Sequence, residues 1–599
     1  MFQLKRAIIS LSLMLAFMIV LEIVRMGLAN DSKYGINIVD TLPLIVSASE
    51  DLNYSSLDYL ILYDNNETNS IYAKTNYEEL FKFYKINVEI KDTREYIGDY
   101  RNYKGVFIAF ADWALINNIP SLINYVEQGG NVAFIFTPLF EGTYNTLSSP
   151  LGIIETGDPL PREGIITQGD FLICGNDVRF EYPSILNYAY QIQLNDNCEV
   201  LLRSFDNTPL LWKTNKGNGM VVVCNNDLTK SKHSRGLVTG IIALFEKDFL
   251  YPVANSWVTF LTAFPTSSNS TNNAYIRKLY ALDTNSFIRN MWWPDMLRLS
   301  RKYNIYYTSV FVQNYTANVE PPFYQEGLTK NDLIGVGSDI LRSKGEIGFN
   351  GYNFRPLGLE GDFKLEGWFV PWVKYENMVL ATKEVVSFTK EAFPNYILRT
   401  YAPPAGQLSP DGRRAVIEGC PTVKVISGLY ESNWGNQLVQ DFKKEQDGTI
   451  SFPRVANGFI PETGIQWDLS NSAEAFGIVS HDIDMIEILF PDGEDYKWNI
   501  ISKMLTDLIE KLRTSYKFIE PQTASNAAQR VERLSQLKIT QKKDDKGIYY
   551  KCFDFTANTN FILRTQKAIK TTVGCSTTKI NNNSYLVTAQ TPDFSILWS

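Results

Sequence analysis

Over residues 57–136 short apolar runs alternate with amphipathic stretches. Tyr59-Leu-Ile-Leu-Tyr63 and Val106-Phe-Ile-Ala-Phe110 are continuously apolar, the pattern of strands buried on both faces. Residues 78–84 and 119–127 carry helical periodicity. The second of these stretches ends at Gly129-Gly130, a helix stop, and Asn131-Val-Ala-Phe-Ile-Phe136 is the next strand. This alternation predicts βαβ units on a parallel sheet, continued by Gly217-Asn-Gly-Met-Val-Val-Val-Cys224 and a helix over 237–246. Residues 145–215 between them are rich in turn formers and short strands.

A second alternating block covers 275–515. Strands are expected at 278–282, 306–312, 396–401, 424–428 and 477–480, with helices at 294–302, 332–343 and 379–392. Met504, Leu505, Leu508, Ile509 and Leu512 mark one face of a further helix. That order suits an irregular (β/α) barrel with functional loops at the C-terminal strand ends. From about 530 the pattern changes to strands alone, predicting a small antiparallel β domain.

The N-terminus reads differently. Lys5 and Arg6 precede an apolar run over 7–21. Glu22 and Arg25 interrupt it, and 23–28 resume it. We expect an uncleaved signal-anchor, with a cleaved signal peptide as the alternative. Both place the chain after about residue 30 outside the cytoplasm. The expected fold class is therefore α/β in four parts: a membrane helix or signal peptide (1–30), a parallel-sheet domain (31–265), a barrel (270–520) and a C-terminal β domain (525–599).

Composition narrows the chemistry. The chain has 599 residues, is 20% charged and has a net charge of −8, with no long basic run, which argues against nucleic acid as a partner. The only two histidines, His233 and His481, are few for a hydrolytic zinc site. The cysteines lack finger or Cys-x-x-Cys spacing. Cys552 and Cys575 fall in one β region, where pairing and two free thiols are equally expected. The aromatic content of 13% fills cores and also suits stacking on sugars.

The strand, the helix closed by Gly-Gly and the following strand over 106–136 resemble class I glutamine-amidotransferase-like domains. Such enzymes use a Cys on a strand-to-helix elbow with a His partner. Cys224 is followed by Asn225-Asn226-Asp227, which is not an elbow, and His233 lies in a polar loop. We expect a structural or partner-binding role for this domain.

Within 275–515 the chain resembles the polysaccharide-deacetylase superfamily. It is most similar to the subgroup of uncharacterised anchored proteins that accompany Pel-type exopolysaccharide loci in Gram-positive bacteria. Leu282-Asp283-Thr284-Asn285 stands for the first motif, with Asp283 at the base position and Thr284 or Asn285 where a liganding Asp belongs. Gly345-Glu-Ile-Gly-Phe-Asn-Gly-Tyr-Asn-Phe-Arg-Pro356 keeps the Glu-Ile-Gly frame, but Asn350 and Phe354 replace the two His ligands. Arg399-Thr-Tyr-Ala-Pro-Pro404 matches the strand that orients the base, and Ser480-His481-Asp482 the motif of the general acid.

The resemblance implies remnant catalytic positions at Asp283, Arg399 and His481. It implies zinc in the family, but here none of Asn285, Asn350 and Phe354 is a competent ligand. Asn350, Tyr352, Tyr401, Trp292 and Trp293 are the expected sugar contacts, with Trp368 and Trp372 nearby. The expected role is that of a membrane-anchored, extracytoplasmic deacetylase-like protein of exopolysaccharide production or modification, a non-catalytic glycan-binding or assembly protein beside synthase or export proteins, with an extracellular polysaccharide as its partner. The alternative is an active deacetylase or hydrolase using Asp283 and His481 with an atypical metal or none.

Overall fold

A computed structural model describes residues 58–599, apart from the short segments 138, 140–143, 182–186, 266–272, 325–326, 364–369, 433–434, 436, 460–463 and 490–496. The expected membrane segment over 7–28 and Trp368 lie outside the described residues. No helix among the described residues is long and apolar enough to cross a membrane.

The first unit is built on a nine-stranded mixed sheet. Its parallel half runs Val88–Asp92, Tyr59–Tyr63, Gly105–Ala109, Asn131–Phe134 and Gly219–Cys224. Its other half turns antiparallel through Pro209–Lys216 and Cys198–Arg203. The helix Ile119–Glu127 starts where the Asn118 side chain accepts from the Ser121 N–H, and it buries Leu122, Tyr125 and Val126. It stops at Gln128-Gly129, where Gly129 takes a φ of +113° that an L side chain rarely adopts.

The second unit is a ring of parallel strands. Ser256–Thr262, Tyr307–Asn314, Glu346–Asn353, Thr400–Tyr401 and Val425–Ile426 pair in that order. Ile450–Ser451 pairs with Val425–Ile426, and a few residues later Ala456–Asn457 pairs with Ile478–Asp484. The latter strand pairs back onto Ser256–Thr262. Between those two short strands the Arg454 N–H bonds the Gly428 carbonyl and the Val455 N–H the Ser480 carbonyl, so one segment closes the ring. The expected barrel is thus met in part, as an irregular half-barrel sheet whose two edges this segment bridges.

Strand Ser256–Thr262 belongs to this second unit, although it falls inside the span 31–265 that the sequence pattern gives to the first. An Asn255 turn separates it from Asp248–Val253, which belongs to neither the first sheet nor the ring. Residues 278–282, expected as a strand, lie mostly in the helix Ala274–Tyr280, capped by the Asn273 side chain on the N–H groups of Tyr275 and Ile276. An N-cap of that kind outweighs a short apolar run.

The helix Ala524–Gln536 closes the N-terminal end of the barrel. The Ala524 N–H bonds the Thr308 hydroxyl at 2.9 Å, and the Ser525 N–H and hydroxyl donate to Glu346 Oε2, each at 2.9 Å. Thr400 donates to Glu346 Oε1 at 2.6 Å. Glu346 of the Glu-Ile-Gly frame is therefore a buried carboxylate seated on a helix N-terminus, at the end of the barrel opposite the functional loops. Burial pushes its carboxyl up, while its donors pull it back.

The C-terminal region pairs two four-stranded antiparallel sheets, one of which takes in Asp248–Val253. Tyr550, Phe561 and Phe594 pack between them, with ring centroids 5.2–5.9 Å apart. Cys552 and Cys575 are both free thiols.

Candidate functional site

Alternation along the barrel strands decides which side chains reach the interior. The Tyr307 hydroxyl reaches the Met296 carbonyl on the surrounding helices, and Phe311 packs on Phe388, so odd positions of that strand point outward. Phe260 stands opposite Thr308, which stands opposite Glu346, and Phe260 also stands opposite Asp482. These positions and their alternates Thr262, Val310, Asn350, Ser480 and Asp482 line the interior. Tyr307, Phe349, Tyr401 and His481 lie behind the wall.

The C-terminal mouth holds a connected polar set. Thr262 donates to Asp482 Oδ1 at 2.6 Å, and Arg454 Nη1 meets Asp482 Oδ2 at 2.7 Å. Arg454 Nη1 also reaches Thr262 Oγ1 at 3.3 Å, and its Nε the Gly428 carbonyl at 3.4 Å. Arg454 is 7% and Asp482 3% exposed, so this is a buried ion pair. Beside it, Asn350 is 1% exposed. Its Oδ1 accepts from the Ala263 N–H at 3.0 Å, and its Nδ2 donates to the Ala402 carbonyl at 2.8 Å. The amide therefore staples the strand ends of Ser256–Thr262 and Thr400–Tyr401 to its own. A register shift falls here, since Phe311 pairs with Phe349 but Val312 with Gly351. Such bulges re-aim side chains at strand ends. The buried Ser427 hydroxyl continues the inward alternation and has no hydrogen-bond partner among the described residues. Above the set stand two half-buried rings, Tyr315 and Phe354, with centroids 6.1 Å apart.

Several predicted residues lie elsewhere. Asp283 is exposed and caps the short helix Thr284–Phe287, accepting from the Ser286 N–H at 2.9 Å and its hydroxyl at 2.7 Å. These bonds hold its carboxyl below the usual range. Asn285 sits exposed on the same helix. Arg399 is buried at the entry of its strand, on the side of Tyr396, and not at the mouth.

His481 is buried with Nε2 2.7 Å from the Gly458 carbonyl. Its neighbour Asp482 takes the interior position, because adjacent strand residues face opposite ways. Asp283 and His481 therefore do not form a pair in the barrel mouth. Trp292 and Trp293 pack on Phe264 and Trp498 in the helical layer, and Tyr401 packs on Phe349. The Tyr352 hydroxyl is tied to the backbone of Tyr324, and Trp372 is 2% exposed. These rings fill the core. Among the described residues of the expected set, Asn350 and Phe354 alone reach the mouth. Asp482 and Arg454 were missed. Strand alternation pointed to Asp482, while no signal in the sequence marked Arg454.

The donors present do not fit a zinc ion. The Asn350 amide is committed on both sides, Phe354 offers a phenyl ring and Asp482 is neutralised by Arg454. Among the described residues no group of three His, Cys, Asp or Glu side chains is placed to hold a metal.

In the first unit, Cys224 Sγ contacts Asn226 and Thr229, and burial pushes its thiol up to about 12. His233 instead lies 3.4 Å from both Glu431 and Asp468 of the barrel. No nucleophile–base pair forms there.

A family model described as "Uncharacterised protein conserved in bacteria (DUF2194)" matches residues 17–190 and 182–586. The chain belongs to that family. No curated protein matches this DUF2194 chain. Among solved structures it is similar to an exo-β-1,4-mannosidase from Opitutaceae bacterium strain TAV5, at 18% identity and a TM-score of 0.24, covering 30% of this chain and 32% of the other. A β-galactosidase from Bacillus circulans has 17% identity and a TM-score of 0.24, covering 31% of each chain. A cytoplasmic protein from Salmonella typhimurium has 12% identity and a TM-score of 0.23, covering 32% of this chain and 97% of that one. The chain spans about a third of the length of the two glycosidases. Likenesses this slight carry no argument about activity.

Burial depresses the pKa of His481 below its ordinary value. A histidine that stays neutral when folded takes up its proton first in the unfolded chain, so its contribution to stability is full above about pH 6.5 and is lost as pH falls. The stability advantage of the wild type over His481→Gln should therefore shrink between pH 7 and pH 5. Urea unfolding of both chains at each pH measures it, and an advantage that grows on acidification would refute the assignment.

Proposed function

We propose that this DUF2194 chain is a membrane-anchored, extracytoplasmic, deacetylase-like protein that holds an extracellular polysaccharide at the barrel mouth without hydrolysing it. The anchor in this reading is the apolar segment over 7–28, and the setting is exopolysaccharide production beside synthase or export proteins. One observation carries the non-catalytic part: the Asn350 amide, at a position where the resembled family has a metal-binding His, spends both its groups on neighbouring backbone. The nucleophile that a bound metal would generate from water has no other source among the described interior groups, and Asp482 is held by Arg454.

Sugar recognition in this reading falls to the half-buried Tyr315 and Phe354 rings, since aromatic faces suit the C–H faces of a pyranose. The test is titration of the full chain in detergent with acetylated hexosamine oligomers, followed by assay of released acetate. We expect saturable binding, no acetate, and affinity about fivefold weaker in Phe354→Ala and in Tyr315→Ala. Acetate release that disappears in Asp482→Asn would overturn the non-catalytic reading, and absence of any glycan binding would overturn the rest.

A further inference from the structure

A second concavity lies away from the barrel mouth, at the junction of the first unit, the barrel and the helix Ala524–Gln536. It encloses about 380 Å³, within the range of small-molecule sites. One wall is aromatic. Phe83 packs edge-on against Phe476 with centroids 4.8 Å apart, and Phe442 meets Phe476 at 5.4 Å. The other lining groups are charged, and their pairing is uneven.

Asp441 is shared between Lys232 at 3.0 Å and Arg235 at 2.5 Å, and these two cations hold its carboxyl down at about 2 despite burial. Glu79 faces Lys82 at 4.0 Å, Lys444 pairs with Glu532 at 2.7 Å, and Glu445 accepts from the Ser451 hydroxyl. Lys85 and Lys443 remain, and neither meets a carboxylate among the described residues. The Lys85 ammonium is served by the Ser535 carbonyl at 3.3 Å, and burial with Lys82 nearby depresses its pKa to about 8. Arg235 lines the same cleft at 2% exposure, and its Nε is buried without a hydrogen-bond partner among the described residues.

A desolvated cation without a counter-charge and a buried guanidinium N–H without an acceptor are both costly. One anion would relieve both, and the apolar aromatic wall beside it suits a ring. We propose that this interdomain cleft binds a six-membered ring bearing one anionic group, phosphate or carboxylate, with Lys85, Lys443 and Arg235 on the anion and Phe83, Phe442 and Phe476 against the ring. The site is independent of the reading of the barrel mouth. A ligand here bridges three parts of the chain and would fix their relative placement.

Calorimetric titration of the full chain in detergent at about 0.1 M salt tests it, with glucose 6-phosphate, glucuronate, glucose and inorganic phosphate as probes. One of the two sugar anions should bind at one per chain, and whichever binds tighter names the anionic group. Glucose should not bind, and inorganic phosphate should bind at least about tenfold more weakly than the tighter sugar anion. Lys85→Gln and the exposed Lys443→Gln should each weaken binding about tenfold, while Tyr315→Ala, at the barrel mouth, leaves it unchanged. The proposal is overturned if neither sugar anion binds, if phosphate binds as tightly, if both lysine variants bind as well as the wild type, or if Tyr315→Ala abolishes binding.

Discussion

Arg454→Met should destabilise the barrel by about 3–5 kcal/mol, the cost of leaving a buried carboxylate without its partner. Asp482 is 3% exposed, and its remaining contact is the Thr262 hydroxyl at 2.6 Å. A single neutral donor does not offset the desolvation of a full charge. The loss should appear as a lower denaturant midpoint in wild-type buffer.

The double variant Arg454→Met/Asp482→Leu separates the pair's structural worth from the penalty of breaking it. Replacing both members with apolar groups of similar size is often close to neutral, so the double variant should recover most of the loss. If instead the double variant is as unstable as the single, the cost lies in the Arg454 bond to the Gly428 carbonyl and in the closing segment itself. The ion pair ties that segment to strands Ile478–Asp484 and Ser256–Thr262, where the ring closes by few backbone bonds.

The architecture was largely legible because its signals are local. The helix Ile119–Glu127 carries its own cap and stop, and Tyr59–Tyr63 is apolar without interruption. Where a tertiary context decides, the sequence misleads. Residues 278–282 look like a strand only until Asn273 is seen capping the helix that contains most of them. Asp248–Val253 is spent in a sheet completed some three hundred residues later, with Asp248 paired to Thr565, and no local pattern announces that partner.

The candidate site was less legible for the same reason. Asp283 was expected at a strand end, whereas it caps the short surface helix Thr284–Phe287. Counting His481 as the interior residue ignored the alternation that hands that place to Asp482. Tryptophans chosen as sugar platforms are large apolar side chains near strand ends, and burial in the helical layer claims such residues first. Asn350 and Phe354 lie at the mouth, although the hydrogen bonds of Asn350 make it a staple and not a sugar contact.

That staple sets the second large expectation. Asn350→Ala removes both partners at once, leaving the Ala263 N–H and the Ala402 carbonyl buried and unpaired. Each orphan costs about 1–3 kcal/mol, so a loss of about 2–6 kcal/mol is expected in denaturant unfolding. Asn350→Asp keeps an acceptor for Ala263 but sets a carboxylate against the Ala402 carbonyl, so it should not rescue the chain. Asn350→His restores the residue type that the resembled family uses for zinc. An imidazole is larger than the amide and matches its paired donor and acceptor poorly, and it would stand alone, since Phe354 and Thr262 add no strong ligand and Asp482 is engaged. That variant should lose stability and still take up no stoichiometric zinc in metal analysis. Zinc bound one to one by Asn350→His, with stability kept, would mean that the mouth has retained a metal-ready arrangement and that the amide's two backbone bonds are incidental.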